Sequence, residues 1–226
     1  MLFSPAMARA IRDRRKTQTR RVVKFHHSSG YIVEPGGRRR WHRDDPAAVA
    51  ACPYGGPGDR LLMLSSWATT PDLDDRKPSQ ITAGSLIWTA FDGPKPNWAG
   101  RTRPGRFMPN RLRANCPRSE IAAVRLERLN EISEEDAWAE GMIFTKRDRV
   151  VAGSVGPIGG EARPFTRQPE QWAWLEGAGA NQSFSTARYA FANLWDSINA
   201  KKHPCSSNPL VWVVEFSLLE NQGGAV

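Results

Sequence analysis

Residues 12–21 read RDRRKTQTRR and contain six basic residues, two threonines, one glutamine and one aspartate. Helix signals precede this stretch: Ser4 is a capping residue, Pro5 suits the first helical position, and the apolar residues that follow are three to four apart. They predict a short amphipathic helix from residue 5 to about residue 15. The stretch is therefore attached to a folded element and is not a free basic tail.

The residues after this helix have the pattern of a strand. They alternate between two faces of an extended chain, one of which is formed by Thr17, Thr19 and Arg21. Two β-branched valines follow, which favours a strand. Lys16 and Thr19 therefore lie at a helix-to-strand junction, where side chains can be directed into a cleft.

The charge of the chain is strongly positive and unevenly distributed. The 226 residues have a formal net charge of +9, and residues 1–60 contain thirteen Lys and Arg against five Asp and Glu. Residues 100–118 contain six arginines and no acid, whereas residues 131–140 contain five acids and no base. A patched basic surface suits a polyanion, which it would bind in a salt-dependent way. The alternative is a protein that is basic without such a partner.

Several classes of protein do not fit the sequence. No apolar run has membrane-spanning length, and the N-terminus lacks the apolar core of a signal peptide. The cysteines are too few and scattered for a disulfide framework, and only Cys205 has a histidine close by, without zinc-type spacing. No phosphate-binding loop is present. We expect a cytoplasmic protein without a metal or other cofactor and without a membrane partner.

Further strands are predicted at residues 60–68, 85–91, 120–132 and 210–216. Residues 120–132 have a helical composition, but their side chains alternate, which favours a strand. Two further helices are predicted. Ser133 has capping-box spacing with Asp136, and Gly141 closes that helix.

The last turn of this helix contains Glu140, where the helix dipole disfavours a carboxylate unless a cation lies nearby. The final helix is predicted at residues 186–199. Its apolar stripe is formed by Tyr189, Ala190, Leu194, Trp195 and Ile198.

Several motifs, in this order along the chain, resemble a known family. They are KTQTRR at 16–21, CPYGGPGDRLLML at 52–64 leading to Trp67, FMPNR at 107–111, SEEDAWAEG at 133–141, LWDSIN at 194–199 and NPLVWVVEF at 208–216. Together they resemble the phage-encoded ASCH-domain proteins of the PUA-like superfamily. The resemblance implies an α+β fold, a small mixed β-barrel flanked by helices, with a cleft that takes a nucleotide or base, and a phage or prophage origin. Because the motifs lie at both ends of the chain, we expect one domain over residues 1–226, with loop-rich insertions around 26–58, 93–106 and 145–183.

The chain departs from the family pattern at two places. The family usually has a glycine where Arg14 stands, so we expect a different local turn here. The family also commonly has an Arg-Glu pair before Thr-Trp, whereas Leu64, Ser65 and Ser66 precede Trp67 in this chain. If that glutamate lines the cleft in relatives, this chain has lost a carboxylate there.

The resemblance also implies catalytic residues. Small bacterial ASCH proteins that hydrolyse N4-acetylcytidine are similar to this chain at the lysine-x-x-threonine of the first motif and at the glutamate of SEEDAWAEG. Carried over by motif position, the catalytic residues are Lys16, Thr19 and Glu140. Thr19 would be the nucleophile, a desolvated Lys16 its base, and Glu140 would hold the lysine or pass a proton to the leaving nitrogen. In the alternative interpretation Lys16 binds phosphate, Thr19 fills a strand position and Glu140 forms a surface ion pair.

Other residues are candidates for binding the substrate. Arg21 lies on the Thr19 side of the strand and is a better candidate for a phosphate or base edge than Arg20. Trp67 could stack on a base or pack in the core. The basic run at 100–118, which includes Arg106 and Arg111, is either a track for a nucleic-acid backbone or a solvated loop.

The sequence thus predicts an amidohydrolase that removes an N4-acyl group from cytidine-type bases. Its partner would be a nucleoside or a nucleic acid, with RNA favoured. The alternatives are a non-catalytic ASCH module that reads RNA or modified nucleic acid through its basic face, and a ribonuclease.

Overall fold

A computed structural model of the chain describes residues 1–24, 31–33, 40–42, 45–145, 171–173 and 184–219. The helices among these residues are α1 (Pro5–Arg12), α2 (Glu134–Ala139) and α3 (Ala187–Asn199). The strands are β1 (Gln18–Val22), β2 (Tyr31–Val33), β3 (Arg40–His42), β4 (Arg60–Leu62), β5 (Trp67–Ala68), β6 (Trp88–Thr89), β7 (Arg118–Arg128), β8 (Ile143–Thr145), β9 (Gln171–Ala173) and β10 (Leu210–Leu218).

The central sheet has four strands in the order β1-β10-β7-β4, and all its pairs are antiparallel. It curls into a half-barrel, and three two-stranded ribbons, β2-β3, β5-β6 and β8-β9, accompany it. Thr19 of β1 lies opposite Val214 of β10. The fold therefore mixes helices with an antiparallel sheet, as the predicted α+β class requires, and joins the two ends of the described chain in one sheet.

Both faces of the central sheet are buried along the first half of β10. Val211 and Val213 pack with α2 and α3 on one face, whereas Trp212 and Val214 pack with β4 and the residues before it on the other. This double burial explains why residues 210–214, LVWVV, are apolar at every position rather than at every second one.

The strand predicted at 120–132 is confirmed, because β7 is an eleven-residue strand that pairs with both β10 and β4. The strand predicted at 60–68 is interrupted. Leu64 instead pairs with Leu2 in an isolated parallel bridge, and the buried Ser65 hydroxyl donates to the Phe3 carbonyl at 3.0 Å. Of the strand predicted at 85–91, only Trp88–Thr89 is extended and paired.

The helix predicted at 186–199 is confirmed as α3, and the Thr186 hydroxyl accepts from the Tyr189 amide at 3.2 Å as its cap. The predicted apolar stripe is wrong at its two edges, since Tyr189 is 64% and Ile198 is 58% exposed. The residues that face the core are Ala187, Ala190, Phe191, Leu194 and Trp195. The buried stripe is thus rotated relative to the predicted one, because Phe191 packs against the sheet.

Helix α1 is shorter than predicted and ends in a left-handed turn. Arg14 has φ of 56°, its amide donates to the Ile11 carbonyl at 2.9 Å, and the Arg15 amide donates to the Ala10 carbonyl at 2.8 Å. These two bonds form a Schellman motif. Our expectation of a different turn at Arg14 is therefore wrong: the arginine adopts the conformation that a glycine would favour.

Helix α2 ends in the same way. Gly141 has φ of 95°, and its amide donates to the Trp138 carbonyl at 2.7 Å. A Cβ atom at Gly141 would lie 3.2 Å from the Cβ atoms of both Ala10 and Lys16. The glycine therefore allows the C-terminal ends of α1 and α2 to approach each other.

The predicted insertions at 26–58 and 145–183 fall partly outside the described residues, while 93–106 has an irregular backbone up to a short 3-10 turn that begins at Gly105. In the described part of the chain, no helix is both long and apolar enough to cross a membrane.

The left-handed turn at Arg14 gives the first testable prediction. Arg14→Gly and Arg14→Ala both remove the side chain, but only alanine has a Cβ that is strained at positive φ. We expect the glycine variant to be more stable than the alanine variant by about 1 kcal/mol. Urea unfolding of the two variants measures this difference. Equal stability would show that residue 14 is not left-handed in solution.

Candidate functional site

Lys16 and Glu140, which are 124 residues apart in sequence, are in direct contact. Lys16 Nζ donates to Glu140 Oε2 at 2.5 Å and to the Glu140 backbone carbonyl at 3.1 Å. The lysine side chain is 0% and the glutamate side chain 4% exposed. The backbones meet as well, because the Thr17 amide donates to the Ala139 carbonyl at 2.8 Å. The cation that the end of α2 requires is thus Lys16.

Arg20 lies next to this pair and is bound by three carboxylates. Its Nη1 is 3.3 Å from Glu140 Oε1, and its Nη2 is 2.8 Å from Asp136 Oδ2 and 2.9 Å from Glu127 Oε2. The Arg20 side chain is 0% exposed. The prediction that Arg20 binds the substrate is therefore not supported, since its guanidinium is already occupied inside the protein.

Arg125 extends the network on β7. It contacts Asp136 at 2.9 and 3.0 Å and also binds Glu127 and Glu215. We call the whole set the charge cluster; its three cations and four carboxylates are Lys16, Arg20, Arg125, Glu127, Asp136, Glu140 and Glu215. Such a cluster is stable only because each desolvated charge faces an opposite one.

Three groups of the charge cluster have shifted pKa values: Lys16, Asp136 and Arg125, whose pKa is raised by its hydrogen bonds to Glu127 and Asp136 against the effect of burial. Burial lowers the pKa of the Lys16 ammonium below its ordinary value, and the nearby Glu140 carboxylate only partly offsets this effect. For Asp136, burial alone would raise the pKa. The hydrogen bond from Gln18 and the charges of Arg20 and Arg125 outweigh it, so the pKa of Asp136 is lowered. Burial thus favours a neutral lysine, while the arginines favour an ionised Asp136.

A cleft of about 290 Å³ lies along β1, between the first residues of the chain and α3. Its polar lining includes Thr19, Arg20, Arg21 and Glu140. Its apolar wall includes Phe3, Met7, Phe191, Leu194 and Trp195. Lys16 is not part of the lining, since it is fully buried behind Glu140.

Thr19 shares this cleft with Glu140, but its hydroxyl forms no hydrogen bond within the described part of the chain. Thr19 itself is 4% exposed. Of the three predicted catalytic residues, two are therefore in contact and the third is a free hydroxyl on the wall of the same cleft. Both Thr19 and Glu140 line the cleft, while strand alternation directs the Thr19 side chain to the face of β1 opposite Arg20, which contacts Glu140.

Arg21 is held at the cleft without a carboxylate partner among the described residues. Its Nη2 donates to the Leu2 carbonyl at 2.7 Å, and its guanidinium lies 5.5 Å from the ring centre of Phe3. Its Nε has no hydrogen-bond partner within the described chain. Arg21 is thus the arginine of the first motif that lines the cleft without an ion-pair partner among the described residues.

The other predicted binding residues lie outside the cleft. Trp67 is 0% exposed, its indole donates to the Pro104 carbonyl at 3.1 Å, and Arg103 covers its ring at 5.4 Å. The prediction that Trp67 stacks on a base is therefore wrong, and the alternative that Trp67 packs in the core is correct. Arg111 donates to the carbonyls of Ile81, at 2.6 Å, and Ser79 and so holds a loop. Arg106 is exposed and lies over its neighbour Phe107.

Sequence reasoning missed the carboxylates that hold Arg20. A signal for them was present on β7, where strand alternation puts Arg125 and Glu127 on one face, and in the unusually acidic first turn of α2. A charged face next to a basic strand predicts ion pairing between them. No family model, curated protein or solved structure matches the chain.

The lowered pKa of Asp136 predicts a specific loss of stability in acid. A depressed carboxyl pKa contributes stability above the ordinary value of 3.8, and this contribution is lost as the pH falls through the folded-state pKa. Asp136→Asn should therefore lower the stability near neutral pH and flatten the decline between about pH 5 and about pH 2.

Chemical denaturation as a function of pH measures the effect, and Asp72→Asn is the control because Asp72 is exposed. An acid limb that is equally steep in the wild type and in Asp136→Asn would contradict the prediction.

Proposed function

We propose that this protein is an amidohydrolase that removes the N4-acyl group from cytidine-type bases, and that its fold is a PUA-like barrel of the ASCH type. The observation that carries the proposal is the buried contact between Lys16 and Glu140 beside a cleft that also contains the free hydroxyl of Thr19. A nucleophile, a base that burial makes more easily neutral and a carboxyl group are what acyl transfer from an amine requires.

The residues divide the reaction into two steps. In the first, Thr19 Oγ attacks the acyl carbonyl, its proton passes to the Lys16–Glu140 pair, and the bond between the carbonyl carbon and N4 breaks. The pair returns the proton to N4, so that the free amine leaves and the acyl group remains on Thr19 as an ester. In the second step, the pair activates a water that cleaves the ester, which releases the carboxylic acid and restores Thr19.

Glu140 is the member of the pair that reaches the substrate. It lines the cleft, whereas Lys16 lies behind it and contacts its Oε2 atom at 2.5 Å. Lys16 therefore acts through Glu140 as a proton reservoir. Arg21 can donate to a carbonyl or phosphate oxygen of the substrate, and the apolar wall of the cleft can hold the base and the acyl group.

The direct test is hydrolysis of N4-acetylcytidine, followed by the loss of absorbance of the acetylated base. Thr19→Ala should lower the turnover by about 10²-fold or more, because it removes the nucleophile. Thr17→Ala is the matched control, since Thr17 belongs to the same motif but is exposed. It should keep the wild-type turnover to within about twofold.

Two results would overturn this function. A wild-type protein that is folded but inactive on acetylated nucleosides, bases and RNA would exclude it. Equal activity of Thr19→Ala and Thr17→Ala would exclude Thr19 as the nucleophile.

A second candidate function is a non-catalytic reader of RNA or modified nucleic acid. The observation in its favour is the net charge of +9, which suits a polyanion. In addition, Lys16 is fully buried and paired, which is compatible with a purely structural role for this residue.

The reader function predicts strong salt dependence. Affinity for a single-stranded RNA oligonucleotide should fall by at least about tenfold between about 50 mM and about 200 mM salt, because phosphate contacts release counterions. Fluorescence anisotropy at a series of salt concentrations measures this. Affinity that hardly changes over that range would exclude binding led by phosphates.

A further inference from the structure

Arg20 has a place in the site that the sequence motif does not explain. Its guanidinium connects the buried Glu140, on the cleft, to Asp136 and Glu127, whose side chains are more exposed. The three contacts come from two elements, since Glu127 belongs to β7 and the other two carboxylates lie on or directly after α2. The ring of Phe191 on α3 lies 5.8 Å below the guanidinium. Arg20 is thus fixed from three sides.

The two oxygens of Glu140 have different partners. Oε1 faces Arg20 at 3.3 Å, and Oε2 faces Lys16 at 2.5 Å. A carboxylate held at both oxygens cannot rotate away from the lysine without losing one contact. Arg20 therefore fixes the orientation in which the Glu140 carboxylate faces Lys16.

Arg20 also acts on the pair through its charge. A fixed positive charge beside Glu140 favours the ionised carboxylate, and the same charge repels a proton on Lys16. The charged groups around Lys16 are Glu140 at the end of α2 and Arg20 and Arg21 on β1. From α1 and the turn after it, Ala10 is uncharged, and Arg9 and Arg15 line a small pocket together with Glu140. Glu140 is the single anion in this set, so Arg20 and Arg21 favour the neutral lysine.

We propose that Arg20 is a positioning residue, which anchors Glu140 to Asp136 and Glu127, orients it towards Lys16 and keeps Lys16 ready to accept a proton. Only the contribution of Arg20 to catalysis rests on the proposed function. The orientation and the effect on Lys16 are properties of the folded protein and can be measured without a substrate.

The experiment is an NMR titration of the Lys16 Cε resonance in protein that carries ¹³C-labelled lysine. Arg20→Gln removes the charge, so the midpoint of the Lys16 titration should rise by about one pH unit relative to the wild type. Arg125→Gln is the matched control, because Arg125 binds the same Asp136 and Glu127 but has no contact with Glu140 or Lys16 among the described residues. It should move the midpoint by less than about a third as much.

Arg20→Lys separates charge from geometry. It keeps a positive charge but cannot bind three carboxylates at once, so the Lys16 midpoint should stay near the wild-type value while the turnover falls by about tenfold or more. If Arg20→Gln does not fold, R20Q/E127Q removes one carboxylate together with the cation and is compared with R125Q/E127Q.

Equal midpoint shifts in the Arg20 and Arg125 variants, or no shift in either, would overturn the proposal. The rate measurement tests the proposed amidohydrolase function, whereas the titrations test the positioning role. If the wild type does not hydrolyse acylated cytidines but the titrations shift as expected, the amidohydrolase function fails and the effect of Arg20 on Lys16 stands. If the wild type is active and the titrations do not shift, the function stands and the positioning role fails.

Discussion

The buried contact between Lys16 and Glu140 is the constraint on which the rest of the site depends. It can form only where the C-terminal ends of α1 and α2 meet, which requires the left-handed turn at Arg14 and the absence of a side chain at Gly141. Once Lys16 is fixed, the following residues run directly into β1. Its alternation then directs Thr19 and Arg21 to one face and Arg20 to the other. A single ion pair thus links the two helices, the sheet and the cleft.

The charge cluster explains how this pair can be buried. Removing a lysine and a glutamate from water costs several kcal/mol for each ion, and their mutual attraction repays this only when the remaining oxygens are also bound. Arg20 satisfies the second oxygen of Glu140, and Asp136 and Glu127 balance Arg20. The result is a site in which a lysine that is more easily deprotonated than usual lies directly behind a carboxylate on the cleft wall. This combination suits proton transfer better than phosphate binding, for which a lysine must be exposed.

Sequence reasoning identified the elements that local signals specify. The caps at Ser4 and Ser133, the apolar residues of α3 and the alternation of β7 predicted helices and a strand that the structure has. The motif resemblance predicted that Lys16 and Glu140 lie in one site, and the two residues are in contact. Sequence reasoning failed where tertiary packing determines whether a residue is buried or a strand continues. Nothing local distinguishes a stacking Trp67 from a buried one, and the interruption of the strand after Leu62 depends on a bridge to Leu2. Arg20 was predicted to bind the substrate because its carboxylate partners, which lie more than 100 residues away in sequence, could not be recognised.

The most direct test of this account is a double-mutant cycle on the ion pair itself, with Lys16→Met, Glu140→Gln and the combined variant, each unfolded in urea. A buried pair leaves an uncompensated charge when one partner is removed, so Lys16→Met should lower the free energy of unfolding by about 3–5 kcal/mol. The double variant should be more stable than the sum of the single effects predicts, with a coupling energy of about 2 kcal/mol or more. Additive effects, with a coupling energy below about 0.5 kcal/mol, would show that Lys16 and Glu140 do not interact in solution and would contradict the account.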